Sequence, residues 1–244
     1  MRFYVSPEDI SPSKNIIEIK DKDEVHHIRD VMRLKKGECV RVFDGRGKEY
    51  LGDIKEIGKF SVVIGIRDTV NSRIEDSFSI TLYQAIPKKS KMDFIIEKAV
   101  ELGADRIVPI ITERTVPSLK DKASKKKDRW QRLAKAASKQ CGRSNLPSIS
   151  DILGFNDALA EAKRSELVLF AALDDSAKLL SAILEAGHPK SVSVFIGPEG
   201  DFSDKEISVA KSKGFSICSL GSLVLRVETA AIYVLSSLNY EYRN

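Results

Sequence analysis

The sequence predicts an α/β protein in two parts: a small β-rich N-terminal domain and a larger domain on a mainly parallel sheet. Three observations carry that expectation. Short strand-like runs punctuated by turn residues dominate residues 1–67. From Ser79 onward, strand-like and helix-like segments alternate. Near the C-terminus, two glycine-centred loops each follow a short apolar run and precede a helical pattern. They are Phe195-Ile196-Gly197-Pro198-Glu199-Gly200-Asp201-Phe202 and Leu220-Gly221-Ser222-Leu223-Val224-Leu225-Arg226-Val227-Glu228-Thr229-Ala230. Glycine at a strand exit lets the backbone turn sharply and approach a ligand closely.

In the first part, Arg2–Val5, Ile16–Ile19, Glu38–Asp44, Glu49–Lys55 and Ser61–Ile66 have strand character. Asp44-Gly45-Arg46-Gly47 marks a turn. A short helix is expected over Asp23–Met32, opening on Asp23, with Val25, Ile28, Val31 and Met32 on its apolar side. Several short strands and one helix point to a small barrel-like domain. The polar stretch Asp68 to Ser77 reads as a linker. The domain boundaries are therefore set at 1–70, a linker at 71–78, and 79–244.

In the second part the order is strand Ser79–Ile86, helix Lys91–Leu102, strand Arg106–Ile111 and helix Asp128–Cys141. Strand Leu167–Leu173, helix Ala177–Ala186 and strand Ser191–Ile196 follow. Helix Ser203–Lys213 carries a capping box of Ser203 and Glu206. Strand Phe215–Leu220 and helix Glu228–Asn239 close the chain.

Composition narrows the function classes. With 244 residues, 42% hydrophobic and 31% charged, the chain reads as an ordinary soluble protein. The N-terminus has no apolar secretory core, and the longest apolar run, Leu167–Leu173, is far too short to span a bilayer. Cys39, Cys141 and Cys218 are scattered, which argues against a disulfide framework or a zinc site and suits a reducing cytoplasm. With only His26, His27 and His188, no metal centre is expected.

The net charge of +5 is unevenly spread. Residues 120–143 hold ten basic and two acidic residues, while the remainder holds 30 basic and 33 acidic ones. Two readings stand: a footprint for a polyanion, or a solvated loop followed by a surface helix. At 100° per residue, Arg129, Arg132, Lys135 and Lys139 share one arc of the predicted helix, and Trp130, Leu133, Ala134, Ala137 and Cys141 share another. Gln140 and Arg143 extend the polar side. Lys88, Lys89 and Lys91 form a second cluster, and Arg29, Arg33, Lys35 and Lys36 a third. Clusters in both parts fit an extended nucleic acid better than a compact metabolite. Aromatic residues are not interleaved with them, so no stacking platform is evident. His26 and His27 read as structural, since neighbours on a helix face different ways.

The two glycine loops lie where an open α/β sheet binds ligands, beyond the carboxyl ends of its strands. Neither is a phosphate loop. Pro198 removes a donor and stiffens the first. Arg226 follows an apolar run and precedes a helix. It is a snorkelling residue, a partner for Glu228, or a group that stabilises negative charge on a substrate. Glu228 lies where the helix macrodipole favours an acid.

Taken together, these segments closely resemble the RsmE family, the 16S ribosomal RNA (uracil N3) methyltransferases of the SPOUT class. The resemblance runs through His27-Ile28-Arg29-Asp30-Val31-Met32-Arg33-Leu34-Lys35-Lys36-Gly37, Phe43-Asp44-Gly45-Arg46-Gly47, Lys98-Ala99-Val100-Glu101-Leu102-Gly103 and Arg106-Ile107-Val108-Pro109. It continues in Arg129-Trp130-Gln131, Gln140-Cys141-Gly142-Arg143 and both loops, covering nearly the whole chain. It implies a PUA-like RNA-binding β-barrel domain, a SPOUT methyltransferase domain with a trefoil knot, and a homodimer. S-adenosylmethionine is the implied cofactor. Its expected pocket comprises Ile196, Gly197, Pro198, Glu199 and Gly200 from one loop, Leu220, Gly221, Ser222, Leu225 and Arg226 from the other, and Leu173 as a third wall. Arg226 is the expected catalytic group and Glu199 a base or base-orienting group. Arg29, Arg33, Lys88, Lys89, Arg129, Arg132, Lys139, Gln140 and Arg143 are the expected RNA contacts. The implied partner is 16S ribosomal RNA of the small subunit. Three positions depart from the pattern: Asp201 stands where Gly is usual, Leu223 where a basic residue is common, and Val227 where Thr is common. The rival readings are a non-catalytic RNA-binding assembly factor and a related methyltransferase acting on transfer RNA.

Overall fold

The structure, a computed structural model, describes residues 1–71, 78–88, 91–115 and 123–243. By internal contacts the chain forms two units. One is Met1–Glu75 with Ser138–Leu146; the other is Asp76–Ala137 with Pro147–Asn244.

The first unit holds strands β1 (Arg2–Tyr4), β2 (Ile10–Ser11), β3 (Ile16–Ile19), β4 (Cys39–Phe43), β5 (Lys48–Ile57) and β6 (Val62–Asn71). They form one sheet in the order β1-β4-β5-β6-β3-β2, in which only β1 and β4 run parallel. The turn between β4 and β5 is fixed by Asp44, whose Oδ1 accepts the N–H groups of Arg46 and Lys48 at 2.7 and 3.0 Å. Helix α1 (Lys22–His26) is capped by Asp21, which accepts the N–H groups of Asp23 and Glu24. The start is therefore at Asp21, not Asp23, because the upstream carboxylate reaches both free amides. From His27 to Val31 the backbone widens into a π-helical turn. That change of period breaks the expected apolar stripe: Val25 and Ile28 are buried, whereas Val31 and Met32 are 57% and 36% exposed. β6 runs on to Asn71, so the first residues of the stretch read as a linker are strand; residues 72–77 lie outside the described ones.

Residues 138–146 belong to this first unit because of specific bonds. Arg2 donates to the Ser138 carbonyl at 2.9 Å and to Ser144 Oγ at 2.9 Å, and Leu146 N–H donates to the Gly45 carbonyl at 3.0 Å.

The second unit begins with β7 (Ser79–Ala85), helix α2 (Lys91–Glu101), β8 (Arg106–Ile111) and helix α3 (Ala123–Cys141). Short strands β9 (Ser148–Ile149) and β10 (Leu153–Gly154) precede helix α4 (Phe155–Ala162). Then come β11 (Leu167–Ala171), β12 (Lys178–Leu179), α5 (Leu180–Leu184), β13 (Ser191–Ile196), α6 (Asp204–Ser212), β14 (Ser216–Ser219) and α7 (Val227–Tyr242). All strand pairs in this sheet are parallel, in the order β10-β8-β7-β13-β11-β14-β12, with β9 also on β8. Alternation along the strands feeds two cores. Ile80, Leu82, Leu169, Val192, Val194 and Ile196 pack with α2, α3, α5 and α7. Tyr83, Ala85, Phe170 and Phe195 pack with α4 and α6. Helices on both faces are the general condition for a parallel sheet.

Two expected elements and the placing of one residue change here. Leu167–Leu173 is a strand only to Ala171, and Ala177–Ala186 is a short strand followed by a five-residue helix. Cys141, placed on the apolar arc, is exposed. It lies at the end of α3, beyond Trp130, Ala134 and Ala137, which do pack into the core. The capping box of α6 forms as read.

Candidate active site

Beyond the carboxyl ends of β11, β13 and β14 lies a cavity of about 310 Å³. Its size falls in the range of small-molecule sites. Ile196, Gly197, Pro198 and Glu199 line it from the loop after β13. Leu220, Gly221, Leu225 and Arg226 line it from the loop after β14, and Leu173 from the exit of β11. Two residues expected in it do not line it, Gly200 and Ser222. Gly200 is exposed, and its carbonyl faces away to accept Arg114 Nη1 at 2.6 Å. Ser222 is exposed on the bend that Gly221 makes with φ +116°, a conformation for which glycine is suited.

The loop after β13 is tightly specified. Phe202 is 1% exposed and packs on Phe170 with ring centroids 4.2 Å apart. Arg114 donates to the Gly200 and Phe202 carbonyls. A Cβ on Gly197 would meet Phe202 and Asp201 at 3.1–3.2 Å, tighter than ordinary packing, so a larger residue there needs these two to give by a few tenths of an ångström. Asp201, the departure from glycine, adopts φ +58°. Aspartate is among the few residues that tolerate that region.

Several lining residues were not assigned to the pocket from the sequence, among them the charged Lys91 and Asp201. Lys91, at the start of α2, was read only as part of a basic cluster. Its Nζ stands 3.4 Å from Glu199 Oε1 and 3.3 Å from Glu228 Oε2. The Glu228 contact is an ion pair by distance, without the alignment of a hydrogen bond. Burial opposes the Lys91 charge, yet Glu228 and Glu199 outweigh it and raise the ammonium above its ordinary range. One cation thus joins the loop after β13 to the first turn of α7. Burial likewise opposes the Glu199 carboxylate, but its own N–H, the Lys88 N–H at 3.1 Å and Lys91 outweigh burial and hold it below the usual range. A carboxylate so stabilised is a weak base. Arg226 caps no N–H group of α7, and among the described residues its guanidinium has no polar partner. Val227 packs into the core at the start of α7, which suits an apolar residue there.

The residues expected to touch RNA divide. Arg29, Arg33, Lys88, Arg129, Arg132 and Gln140 are surface residues. Arg29 is braced by Asp30 and by the Lys59 carbonyl, and Arg129 by Asp93. Lys139 and Arg143 are largely withdrawn from the surface. Lys139, half-buried, pairs with the buried Glu24 at 2.8 Å, and Arg143 is 6% exposed. The helical arc placed both with the solvated cations, but the end of α3 packs within the first unit. Lys89 lies outside the described residues.

Residues 75–239 match the family described as RNA methyltransferase domain, and residues 19–66 match RNA methyltransferase PUA domain. Ribosomal RNA small subunit methyltransferase E of Bacillus subtilis is 31% identical over 226 residues, 90% of this chain and 88% of that one. The chain belongs to this methyltransferase family. The Synechocystis member is 32% identical over 98% of this chain and 77% of its own. Among solved structures, the family member from Neisseria gonorrhoeae bound to S-adenosyl methionine superposes with TM-score 0.85 at 29% identity, covering 99% and 97% of the two chains. A chain from Legionella pneumophila in complex with the cofactor SAM gives TM-score 0.87 at 33% identity, covering 98% and 96%. The family's fold, a parallel α/β sheet with a β-rich N-terminal region, is the one described above.

Proposed function

We propose that the protein methylates N3 of a uridine in small-subunit ribosomal RNA, using S-adenosylmethionine. The observation that carries this reading is the cavity itself. Its walls are apolar at Ile196, Leu220 and Leu225, and it brings carboxylates and two cations, Lys91 and Arg226, to the rim. That donor set fits a ligand with an apolar base, a cationic sulfonium and amine, and a carboxylate. When bound, S-adenosylmethionine supplies an activated methyl group.

The chain's own residues then do three things. The loops after β13 and β14 hold the ligand largely through main chain, which is catalysis by positioning. Arg226, with no polar partner among the described residues, stabilises negative charge on the uracil oxygens as the N3 proton leaves. Glu199 orients rather than accepts the proton, since its carboxyl is held ionised by two N–H groups and Lys91. The base must be unpaired or flipped, because a paired N3 is inaccessible.

The N-terminal β-rich region serves in this reading as the RNA-binding domain and the region from residue 79 as the methyltransferase domain. Exposed cations such as Arg29, Arg33, Arg129 and Arg132 contact RNA backbone. The trefoil knot, the homodimer and a cytoplasmic site of action belong to the same reading. A solution mass twice that of the chain tests the homodimer. Mass mapping of modified nucleosides in ribosomal RNA, with and without the protein, tests the reaction. Loss of one 3-methyluridine supports it, and an unchanged content overturns it.

A further inference from the structure

Asp201 is one of three non-glycine residues with positive φ among the described residues, at +58°. An L-residue in that region costs free energy that glycine does not. The side chain shows what this conformation achieves. Its Oδ2 accepts the Leu173 N–H at 2.8 Å and its Oδ1 accepts the Phe202 N–H at 2.8 Å. Its own N–H donates to the Pro198 carbonyl at 2.9 Å, closing the turn. The carboxylate lies folded over the loop, close enough that a Cβ on Gly197 would meet Oδ1 at 3.1 Å.

The bond to Leu173 is the unusual one. The β11–β13 ladder ends at the pair Ala171 and Ile196, so Leu173 lies beyond the reach of sheet pairing with β13. Leu173 is also 65% exposed while lining the cavity, so packing does little to place it. A side-chain bond spanning 28 residues takes over where the ladder stops.

We propose that Asp201 is a positioning residue for the cofactor cavity: its carboxylate fastens the β11 exit at Leu173 to the loop after β13 and thereby sets the affinity for S-adenosylmethionine. This rests on reading the cavity as the S-adenosylmethionine site. Asp201 acts through the wall it holds, not by touching the reacting atoms.

The test uses the full chain as wild type, Asp201→Gly and Asp201→Asn. Glycine adopts φ +58° without strain, so Asp201→Gly removes the tie and spares the backbone. Asparagine also tolerates that φ but keeps only one acceptor oxygen. Titration calorimetry with S-adenosylmethionine should show about tenfold weaker binding for the glycine variant, the loss expected for a charge-assisted bond. The asparagine variant should fall between. The thermal midpoint of the ligand-free glycine variant should stay near wild type, while amide exchange at Leu173 quickens. Wild-type affinity in both variants, with binding by the wild-type chain, overturns the inference alone. Absence of binding by the wild-type chain overturns the cofactor reading and the inference with it. If the glycine variant fails to fold, the asparagine variant decides, and wild-type affinity there overturns the inference.

Discussion

In the loop after β13, Phe202 is 1% exposed and Asp201, Glu199 and the carbonyls of Gly200 and Phe202 each take part in bonds to distant residues. In the loop after β14, Leu223 and Val224 are each 77% exposed, and the polar bonds are local, between Ser219 and Gly221 at 3.3 Å. Both loops are glycine-centred strand exits, and both line one cavity. One has its shape dictated from several directions by residues far away in sequence. The other is held at its ends and open in the middle. Segments with few buried contacts open at low free-energy cost, so the second loop is the one whose shape depends on what it binds. The difference assigns the two walls different tasks: a fixed reference surface, and an adjustable one that carries Arg226.

The largest effect expected from breaking this arrangement is at Arg226. Arg226→Ala should lower the rate of methyl transfer to RNA by about 10²–10³, as for loss of one preorganised donor. Cofactor affinity should change far less than the rate. A near-normal single-turnover rate would take Arg226 out of the catalytic role. The next effect is at Lys91, the cation shared by the loop after β13 and the first turn of α7. Lys91→Met leaves Glu199 and Glu228 without their common partner and should weaken cofactor binding about tenfold, in line with truncating one member of a charge cluster. Adding Glu228→Gln should recover part of that loss, which a double-mutant cycle in calorimetry would read.

A paired comparison sharpens the contrast. Gly197→Ala presses on Phe202 and Asp201 at 3.1–3.2 Å, so it should lower global stability by about 1–3 kcal/mol, seen in denaturant unfolding. Gly221→Ala meets open space but must adopt φ +116°, so its strain stays in the adjustable loop. It should weaken cofactor binding with little change in the unfolding midpoint. Equal effects on stability would show the two loops to be alike. The smallest effect concerns pH. Burial opposes the charge on Glu199 and Glu161, but hydrogen bonds and cations outweigh it and hold both carboxyls below the ordinary glutamate value of about 4.3. Folding therefore favours their ionised forms. The stability they add is complete above that value and is lost as pH falls through the lowered ones. Glu199→Gln should flatten the acid limb of a stability-against-pH curve, measured by chemical unfolding.

Much of this was legible in the sequence where local rules suffice. Ile16–Ile19, Arg106–Ile111 and Ser191–Ile196 form strands with the bounds read from their apolar runs, and the Ser203–Glu206 box caps α6 as its spacing implies. The position of the cavity followed from two glycine exits on a parallel sheet. What stayed hidden depends on contacts between distant segments. Lys91 looked like one of a run of lysines, because sequence shows charge but not the two carboxylates that fold against it. Lys139 and Arg143 sat on a polar helical arc, yet these two side chains turn into the first unit, Lys139 onto Glu24. Val31 and Met32 were placed by a period of 3.6 that the backbone abandons at His27. Asp201 was visible as a departure from glycine, but its bond to Leu173 is not encoded in any local pattern.

Cys218, at the end of β14, lies in the cavity floor and is 0% exposed. Burial pushes its thiol up to about 12, so the sulfur stays protonated. A neutral thiol is a poor nucleophile. On the reading of this cavity as the S-adenosylmethionine site, the consequence is protective: a soft nucleophile in the lining is held in the form that is a poor acceptor for an electrophilic methyl group.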